Sequence, residues 1–422
     1  MPRDELYDQP WRIHPLRTAA VFDNFMLSRL GGATLLAGLA SLSECQIRQF
    51  VAAYPEQLAG LFRSPPPAQR VTEWWTALPA ESKAAVMGGA PELVGNLDGI
   101  PFRIRDSANR DLLARSMRKL RSSPTLMGAA KSSTLSDRRK LESLRKVLEA
   151  LGGPDAAPYR SLITLDTSKN IRAAIAVGNL DSADFVTFIV PGMFFSVDLR
   201  IIDLTDIAVN LHDLQARYLT IFGASSHVRD VKAAATIAWI GYDTPHLLNV
   251  GGLELAFQGA ANLERSLSGV RAARANNPPF VTIIGHSYGG TAALVALQNG
   301  RASVNALALV GSPGSSAQSV SQLAVDNRNV FVGKAAMDPI VNSAFYGSDP
   351  GSSEYGAQRM SVSGGVDPVT GQALDGALGH NEYFKTRSES LRNLALIGID
   401  RGEFVTNGSP NDSLKTLDLL RR

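Results

Sequence analysis

The serine in the segment Gly285-His286-Ser287-Tyr288-Gly289 is the residue whose surroundings most clearly favour chemistry. The segment is a G-x-S-x-G pattern that follows the apolar run 280–284 and precedes the helix-compatible run 291–297. A sharp turn between strand and helix forces such a serine into strained backbone angles and lifts its hydroxyl to the edge of a sheet. The pattern therefore predicts that Ser287 is a nucleophile. An ordinary loop serine is the alternative interpretation.

A serine hydroxyl becomes an effective nucleophile when a histidine accepts its proton and a carboxylate orients that histidine. In strand–turn–helix sites of this type the chain order is serine, acid, histidine. Of the six histidines in the sequence, only His380 follows Ser287. We therefore predict that His380 is the base, although a single histidine taken alone is more often structural or merely exposed.

The chain order places the acid between Ser287 and His380. The carboxylates in that interval are Asp326, Asp338, Asp349, Glu354, Asp367 and Asp375. Only Asp338 closely follows an apolar run, 330–333, and ligands of open α/β sheets bind at the carboxyl ends of strands. The sequence thus favours Asp338 as the acid. A helix-capping aspartate before Pro339 is the alternative.

An oxyanion hole needs two backbone N–H groups aimed at the negative charge that develops on the substrate oxygen. One donor is expected from Tyr288, the residue after the nucleophile, and the other from the loop after the third predicted strand, 185–190. That loop reads Pro191-Gly192-Met193-Phe194-Phe195. Met193 is the predicted donor and Phe194 the next candidate, while a plain turn after a strand is the alternative.

Two different patterns divide the chain near Gly152-Gly153-Pro154. Residues before this point carry apolar side chains at helical spacing and predict an N-terminal helical region over 1–155. A clear example is the set Leu141, Leu144, Val147, Leu148 and Leu151.

From about residue 158 the sequence alternates short β-rich runs with amphipathic segments, which is typical of parallel βαβ units. The runs are 161–165, 171–177, 185–190, 234–240, 280–284, 306–310 and 329–332. Several are apolar throughout, as expected of strands covered on both faces by helices. We predict an α/β catalytic domain over 156–422, built on a mostly parallel, doubly wound sheet with helices on both faces.

The composition excludes several other kinds of protein. Lys and Arg number 42 against 39 Asp and Glu, and no basic run is interleaved with aromatic residues, so nucleic acid is not an expected partner. The sequence has no phosphate-binding glycine loop, no dinucleotide fingerprint and no histidine pair at metal-ligand spacing. Neither a cofactor nor a metal is therefore expected.

The cysteine count and the first apolar stretch bear on the cellular compartment of the protein. Cys45 is the only cysteine, which excludes an intrachain disulfide and fits a reducing environment. The stretch 31–42 begins too late for an ordinary signal peptide and is too short to span a bilayer. We expect no integral membrane segment and a cytoplasmic location, with secretion without a cleaved signal peptide as the alternative.

Eight segments carry a wider resemblance. They are Trp74-Trp75-Thr76-Ala77-Leu78, Glu92-Leu93-Val94-Gly95-Asn96-Leu97-Asp98-Gly99-Ile100-Pro101, Arg105-Asp106-Ser107-Ala108-Asn109-Arg110, Val190-Pro191-Gly192, Gly285-His286-Ser287-Tyr288-Gly289, Gly311-Ser312-Pro313-Gly314, Asp338-Pro339-Ile340 and Gly379-His380-Asn381-Glu382-Tyr383. In this order and spacing they resemble an α/β-hydrolase family that is found mainly in actinobacteria and was formerly classed as a domain of unknown function.

The resemblance spans most of the chain from about residue 70. It implies the α/β-hydrolase fold and a triad of Ser287, Asp338 and His380, but it implies no substrate. Met193-Phe194-Phe195 departs from the family pattern, because these residues are bulkier than the small ones expected after Pro-Gly. These bulkier residues are expected to change the size or shape of the pocket that holds the acyl group of a substrate.

The leading interpretation is a serine hydrolase that cleaves carboxylic esters, with a small-molecule or lipid ester as its partner. Amidase, peptidase and thioesterase action on the same triad are alternatives, as is a non-catalytic interaction protein that uses the fold as a scaffold. The long connection 342–379 is a predicted lid, with Phe345, Tyr346 and Tyr355 expected at the entrance to Ser287. Substrate identity and oligomeric state stay open at this point.

Overall fold

The computed structural model describes residues 24–122, 131–153, 155–168, 170–224, 232–245 and 251–421. The strands of its main sheet are β1 (Arg160–Asp166), β2 (Arg172–Val177), β3 (Phe185–Val190), β4 (Ala234–Ile240), β5 (Phe280–His286), β6 (Ala306–Val310), β7 (Val330–Gly333) and β8 (Gln358–Met360). Their order across the sheet is β1-β2-β4-β3-β5-β6-β7-β8. A separate two-stranded hairpin consists of β9 (Gly365–Val366) and β10 (Ala373–Leu374).

The sheet is mostly parallel. Every neighbouring pair from β4 to β8 is parallel, and only β2 runs antiparallel to both of its neighbours. All seven β-rich runs predicted from the sequence are strands of this sheet. The eighth strand, β8, escaped prediction because it is short and two of its three residues are exposed, so it lacks the apolar run of a central strand.

Helices precede the sheet, connect its strands and follow it. They are α1 (Asn24–Leu27), α2 (Gly32–Leu39), α3 (Glu44–Ala53), α4 (Pro55–Arg63), α5 (Ala68–Ala77), α6 (Ala80–Gly89), α7 (Pro91–Asn96), α8 (Phe102–Arg121), α9 (Lys131–Leu151), α10 (Val197–Gly223), α11 (Glu254–Ala273), α12 (Tyr288–Gln298), α13 (Glu389–Gly398) and α14 (Asp412–Arg421). Within the described ranges, no helix is both long enough and apolar enough to cross a bilayer.

Helices cover both faces of the sheet. Successive side chains of a strand point to opposite faces. In β2, Ile175 and Val177 pack in one apolar cluster with residues of α9, α10 and α13, whereas Ala174 and Ala176 pack in a second cluster with residues of α11 and α12. The predicted doubly wound α/β architecture is confirmed.

Helices α1 to α7 share an apolar core of their own, which includes Leu35, Phe50 and Trp75. Helix α9 contributes to the core on one face of the sheet, as does the second half of α8, whereas Ala108 of α8 belongs to the core of α1 to α7. In α9 the predicted apolar stripe is buried except for Leu148, which is 48% exposed. The described part of the predicted region 1–155 is helical as expected, and residues 1–23 and 123–130 lie outside the described residues. The division of the chain at residue 155 stays a prediction.

Side chains from α7 and α8 cover the free edge of β1, the first strand in the sheet order. Asp106 accepts a hydrogen bond from the Leu162 amide at 2.6 Å, and Asn109 donates to the Leu162 carbonyl at 2.9 Å. Asn96 accepts from the Leu165 amide at 2.8 Å and donates to its carbonyl at 3.0 Å. Because an uncovered edge strand is a template for pairing with another chain, these side chains protect the sheet.

Candidate active site

Ser287 lies in the turn between β5 and α12. Its backbone angles are φ 54° and ψ −130°, and a non-glycine residue with positive φ is strained unless its surroundings fix it. Here the Ser287 amide donates to the Val310 carbonyl at 3.1 Å, and its carbonyl accepts from the Gly290 amide at 2.9 Å. The predicted strained turn is therefore present and is held from both sides.

The glycines beside Ser287 allow the turn to pack tightly. A methyl group on Gly289 would lie 2.2 Å from the Val190 carbonyl oxygen, and one on Gly285 would lie 2.7 Å from the Cα of Gly290. Both distances are shorter than any real carbon contact. A side chain at Gly289 would collide with the end of β3, and one at Gly285 would collide with α12.

The structure brings Ser287, His380 and Asp338 together. The His380 Nε2 lies 2.9 Å from the Ser287 Oγ, and the His380 Nδ1 lies 2.9 Å and 3.0 Å from the two carboxylate oxygens of Asp338. An ionised carboxylate only accepts hydrogen bonds, so the Nδ1 carries the proton and the Nε2 lone pair faces the serine hydroxyl. This arrangement lets His380 take a proton from Ser287.

Asp338 is buried and held by two further donors. The Tyr383 hydroxyl donates to its Oδ2 at 2.6 Å, and the Ile340 amide donates to its Oδ1 at 2.9 Å. Burial alone raises the pKa of Asp338, but the hydrogen bonds from His380, Tyr383 and Ile340 outweigh burial and leave that pKa below its usual value. Asp338 is thus a carboxylate anion at neutral pH.

The backbone of His380 is held as well as its ring. Its carbonyl accepts a hydrogen bond from the His286 Nε2 at 2.8 Å, and the two imidazole rings lie 4.8 Å apart. Burial, together with the neighbouring His380, lowers the pKa of His286 to about 4. His286 is therefore neutral at pH 7 and acts as a hydrogen-bond donor to the backbone of the loop that carries His380.

Glu382 stabilises the same loop from the solvent side. Its carboxylate pairs with Lys385 at 2.8 Å and accepts hydrogen bonds from the Leu378 amide at 2.8 Å and the Gly379 amide at 3.4 Å. The contact with Lys385 and these amides lower the pKa of Glu382 to about 2. The turn before His380 is therefore closed by a charged side chain.

The loop after β3 lies directly over Ser287. A methyl group on Gly192 would come within 2.5 Å of the Ser287 Cβ. Phe194, the second candidate for the oxyanion donor, has a positive φ of 64° and already donates its amide to the Pro245 carbonyl at 3.1 Å. Met193 stays the predicted donor from this loop. Tyr288 is the first residue of α12, where helical amides have no partner within the helix.

The segment 342–379 is more ordered than a simple lid. It contains β8 and the hairpin of β9 and β10. Tyr355 is only 1% exposed and packs in the core beside the sheet, so its predicted place at the entrance is wrong. Tyr346 lies 5.6 Å from the Tyr288 ring, and Phe345 is 60% exposed. The place of these two residues at the entrance to Ser287 stays a prediction.

Three residues of the site escaped the sequence analysis as contributors. They are His286, Gly311 and Tyr383. Each lies inside a segment that carries the family resemblance, but a contact between distant segments gives no local signal. A methyl group on Gly311 would lie 3.0 Å from the Asp338 Oδ2 and the His380 Nδ1, which explains a glycine at that position.

Two cavities in the described part of the chain lie away from Ser287. A cavity of about 540 Å³ lies beside Phe331 and Gln358, and one of about 130 Å³ lies beside Val281 and Asn305. Ser287 does not line either cavity. Among the described residues, no group of three or more His, Cys, Asp or Glu side chains is placed to hold a metal ion.

Comparison with known proteins agrees with this architecture. A family model described as "Alpha/beta hydrolase" matches residues 166–348. The uncharacterized protein Mb0988c of Mycobacterium bovis is 32% identical over 240 residues, which are 55% of this chain and 87% of that protein. The fold is therefore that of an α/β-hydrolase. The chain belongs to the α/β-hydrolase family that includes this mycobacterial relative.

Other relatives are longer or more distant. The uncharacterized protein Rv2079 of Mycobacterium tuberculosis is 27% identical over 405 residues, and the match covers 81% of this chain but 58% of that protein. Among solved structures, one described as "Structure of arylesterase" has a TM-score of 0.35 and 10% identity, covering 69% of this chain and 96% of its own. The thermophilic carboxylesterase EstE1, cloned from a metagenomic library, has a TM-score of 0.35 and 14% identity, with coverages of 65% and 98%.

Proposed function

We propose that this protein is a serine hydrolase that cleaves carboxylic esters through an acyl-enzyme intermediate. The observation that carries the proposal is the continuous hydrogen-bonded series from the Ser287 Oγ through His380 to Asp338. Its members approach from the β5–α12 turn, from the loop after β7 and from the loop before α13. Three separate segments thus meet in the geometry that nucleophilic catalysis requires.

In the proposed reaction His380 takes the proton of Ser287 as the serine oxygen attacks the ester carbonyl. Asp338 keeps the imidazole in the correct tautomer and stabilises the imidazolium that forms. The amides of Tyr288 and Met193 donate to the oxyanion of the tetrahedral intermediate. His380 then protonates the leaving alcohol, and a water molecule activated by the same histidine releases the acid and restores Ser287.

The surface beside the site favours an ester with an apolar acyl group. Phe194, Met337 and Leu378 are exposed large apolar residues, and Met337 donates its amide to the Leu378 carbonyl at 2.8 Å. Met337 precedes Asp338, and Leu378 lies two residues before His380. Apolar side chains this close to the site are expected to contact the substrate. A small-molecule or lipid ester with an apolar acyl group is therefore the proposed substrate, and amides or thioesters with the same acyl group are the alternatives.

Labelling with a fluorophosphonate probe tests the nucleophile. The wild-type protein should react at Ser287, identified by mass spectrometry of the labelled peptide, and should hydrolyse p-nitrophenyl esters. Ser287→Ala should abolish labelling and lower turnover by roughly a million-fold, as removal of a triad serine does elsewhere. Ser353→Ala, at an exposed serine of the same chain, should retain both.

Two results would contradict the proposal. One is labelling that survives in Ser287→Ala, and the other is a folded wild-type protein that neither reacts with the probe nor turns over any ester. The second result would favour the interaction protein with a hydrolase scaffold. A parallel panel of esters, thioesters and amides with matched acyl groups should show the highest kcat/KM for the esters.

A further inference from the structure

Tyr383 contacts the acid of the site from inside the protein. Its side chain is fully buried. The hydroxyl donates to the Asp338 Oδ2 at 2.6 Å and accepts from the Ala335 amide at 2.9 Å. From this geometry we propose that Tyr383 is a positioning residue that fixes the Asp338 carboxylate and sets the basicity of His380. The inference rests on the proposed function, because it concerns the same proton transfer.

The two oxygens of Asp338 are held by different donors. The Oδ1 receives the Ile340 amide, the Oδ2 receives the Tyr383 hydroxyl, and His380 lies within 3.0 Å of both. The terminal torsion of an aspartate has a broad energy minimum, so a donor on one oxygen alone leaves the carboxylate free to twist. Tyr383 supplies the second fixed point. The carboxylate plane then stays directed at the Nδ1 of His380.

The position of Tyr383 in the chain links the base to the acid. Tyr383 lies three residues after His380, on the same loop. Its hydroxyl contacts both Asp338 and the backbone of Ala335, which follow β7. One side chain thus ties the loop of the histidine to the loop of the aspartate. If that contact is removed, the described residues of the two loops are still joined by the His380 to Asp338 interaction and by the hydrogen bond from Met337 to Leu378.

Tyr383 also draws charge away from the carboxylate. Burial raises the pKa of Tyr383, and the bond to Asp338 raises it further, so the hydroxyl stays protonated over the working pH range. A donor on the Oδ2 reduces the negative charge that His380 experiences. Among the described residues, His380 contacts the carboxylate of Asp338 and the neutral ring of His286, and Tyr383 contacts both of these partners. The paired charges of Glu382 and Lys385 lie on the same loop. Removal of the Tyr383 hydroxyl should therefore make His380 more basic.

The test is Tyr383→Phe in the full chain, which removes only the hydroxyl. We expect kcat for a p-nitrophenyl ester to fall by about tenfold, because a hydrogen bond to a charged group is worth at least that factor, with KM little changed. The acid limb of the rate–pH profile should move to higher pH. A purely structural role would lower the melting temperature without moving this limb.

Tyr355→Phe is the matched control. Tyr355 is also a buried tyrosine, but its hydroxyl has no hydrogen-bond partner in the part of the chain that the structure describes. This variant should keep the wild-type kcat and pH profile. Active-site titration with the fluorophosphonate normalises every kcat to the folded enzyme, so partial unfolding of either variant does not obscure the comparison.

A second readout separates this inference from the proposed function. The His380 ring can be titrated by NMR, with its signal assigned by its loss in His380→Ala, whether or not an ester is hydrolysed. A higher titration midpoint in Tyr383→Phe supports the inference even if every ester fails as a substrate. An active, labelled wild type together with an unchanged midpoint and kcat in Tyr383→Phe would overturn the inference alone.

Discussion

Asp338 and Asp106 are both buried carboxylates, 6% and 4% exposed, but their surroundings differ. Asp338 contacts His380, whose second nitrogen faces the Ser287 hydroxyl in the turn between β5 and α12. Asp106 accepts hydrogen bonds from the Leu162 amide, the Tyr159 hydroxyl and Arg110, and all of these are structural partners. A buried carboxylate therefore indicates chemistry only when its partner can pass a proton to a group that substrate can reach.

The polar groups around each carboxylate differ in the same way, since those near Asp106 bind the backbone of the protein. At the edge of β1, Asn96 and Asn109 satisfy backbone groups of a strand, which water or another chain would otherwise bind. At the site, Tyr288 and Gly289 are the first residues of α12, where helical amides have no partner within the helix. One polar cluster completes a sheet, while the other has the amide of Tyr288, the proposed oxyanion donor, beside Ser287.

Within this comparison, the largest effect should come from neutralising the two carboxylates in turn. Asp338→Asn should lower kcat by roughly ten-thousand-fold, because an asparagine favours the wrong tautomer of His380, while the protein stays folded. Asp106→Asn should leave kcat per folded molecule unchanged and lower the free energy of unfolding by about 1–3 kcal/mol, since it weakens buried hydrogen bonds to a charged acceptor. Steady-state kinetics and urea denaturation of both variants measure the two effects.

The opposite results would contradict the assignment of a structural role to Asp106 and a catalytic role to Asp338. If Asp106→Asn lost activity at full stability, the β1 edge would take part in the reaction. If Asp338→Asn kept near-normal turnover, another carboxylate would serve His380.

A smaller effect is expected at the edge of β1. Asn109→Ala removes hydrogen bonds to the carbonyls of Leu162 and Gly95. The free energy of unfolding should fall by about 1–3 kcal/mol, because the Leu162 carbonyl loses this donor, while the Gly95 carbonyl keeps the Arg105 Nε at 3.2 Å. The exposed strand edge should also promote association at high concentration. Analytical ultracentrifugation over a concentration series checks this. Asn276→Ala, at an exposed position, is the control and should behave as the wild type at all concentrations.

The smallest effect concerns acid stability. Because the pKa of Asp338 is lowered in the folded protein, its ionisation stabilises the fold at pH values above the usual aspartate pKa, and this contribution is lost as the pH falls through the lowered value. The difference in unfolding free energy between the wild type and Asp338→Asn should therefore shrink between pH 6 and pH 3. Denaturation at several pH values tests the sign, and a difference that grew towards acid would refute it.

The sequence predicts the parts of this molecule that local pattern determines. The seven apolar runs became strands because burial on both faces requires continuous apolar residues. Ser287 was identifiable because its turn needs glycines at fixed positions, and His380 because chain order left one candidate. The structure brings Asp338 to His380 as that order predicts.

The features that escaped prediction depend on contacts between distant segments. Neither the Tyr383 contact with Asp338 nor the His286 contact with the His380 carbonyl follows from spacing along the chain. Tyr355 was misplaced because an aromatic residue in a glycine- and serine-rich stretch gives no sign of the core that receives it. Asn96, Asp106 and Asn109 carry the family resemblance, and their task is visible only beside β1.

Hydrogen bonds join Asn96 and Asp106 to β1. They determine how short a fragment of this chain can be if it is to fold with a covered sheet edge. The residues matched by the family model, 166–348, contain Ser287 and Asp338 but exclude nearly all of β1, the helices that cover it, and His380. A fragment trimmed to that match would have a bare sheet edge and would lack His380, the proposed base. We expect a fragment that folds by itself with a complete site to begin before α7 and to continue beyond Tyr383. Such a fragment would have to keep helices that are far from Ser287 in the sequence.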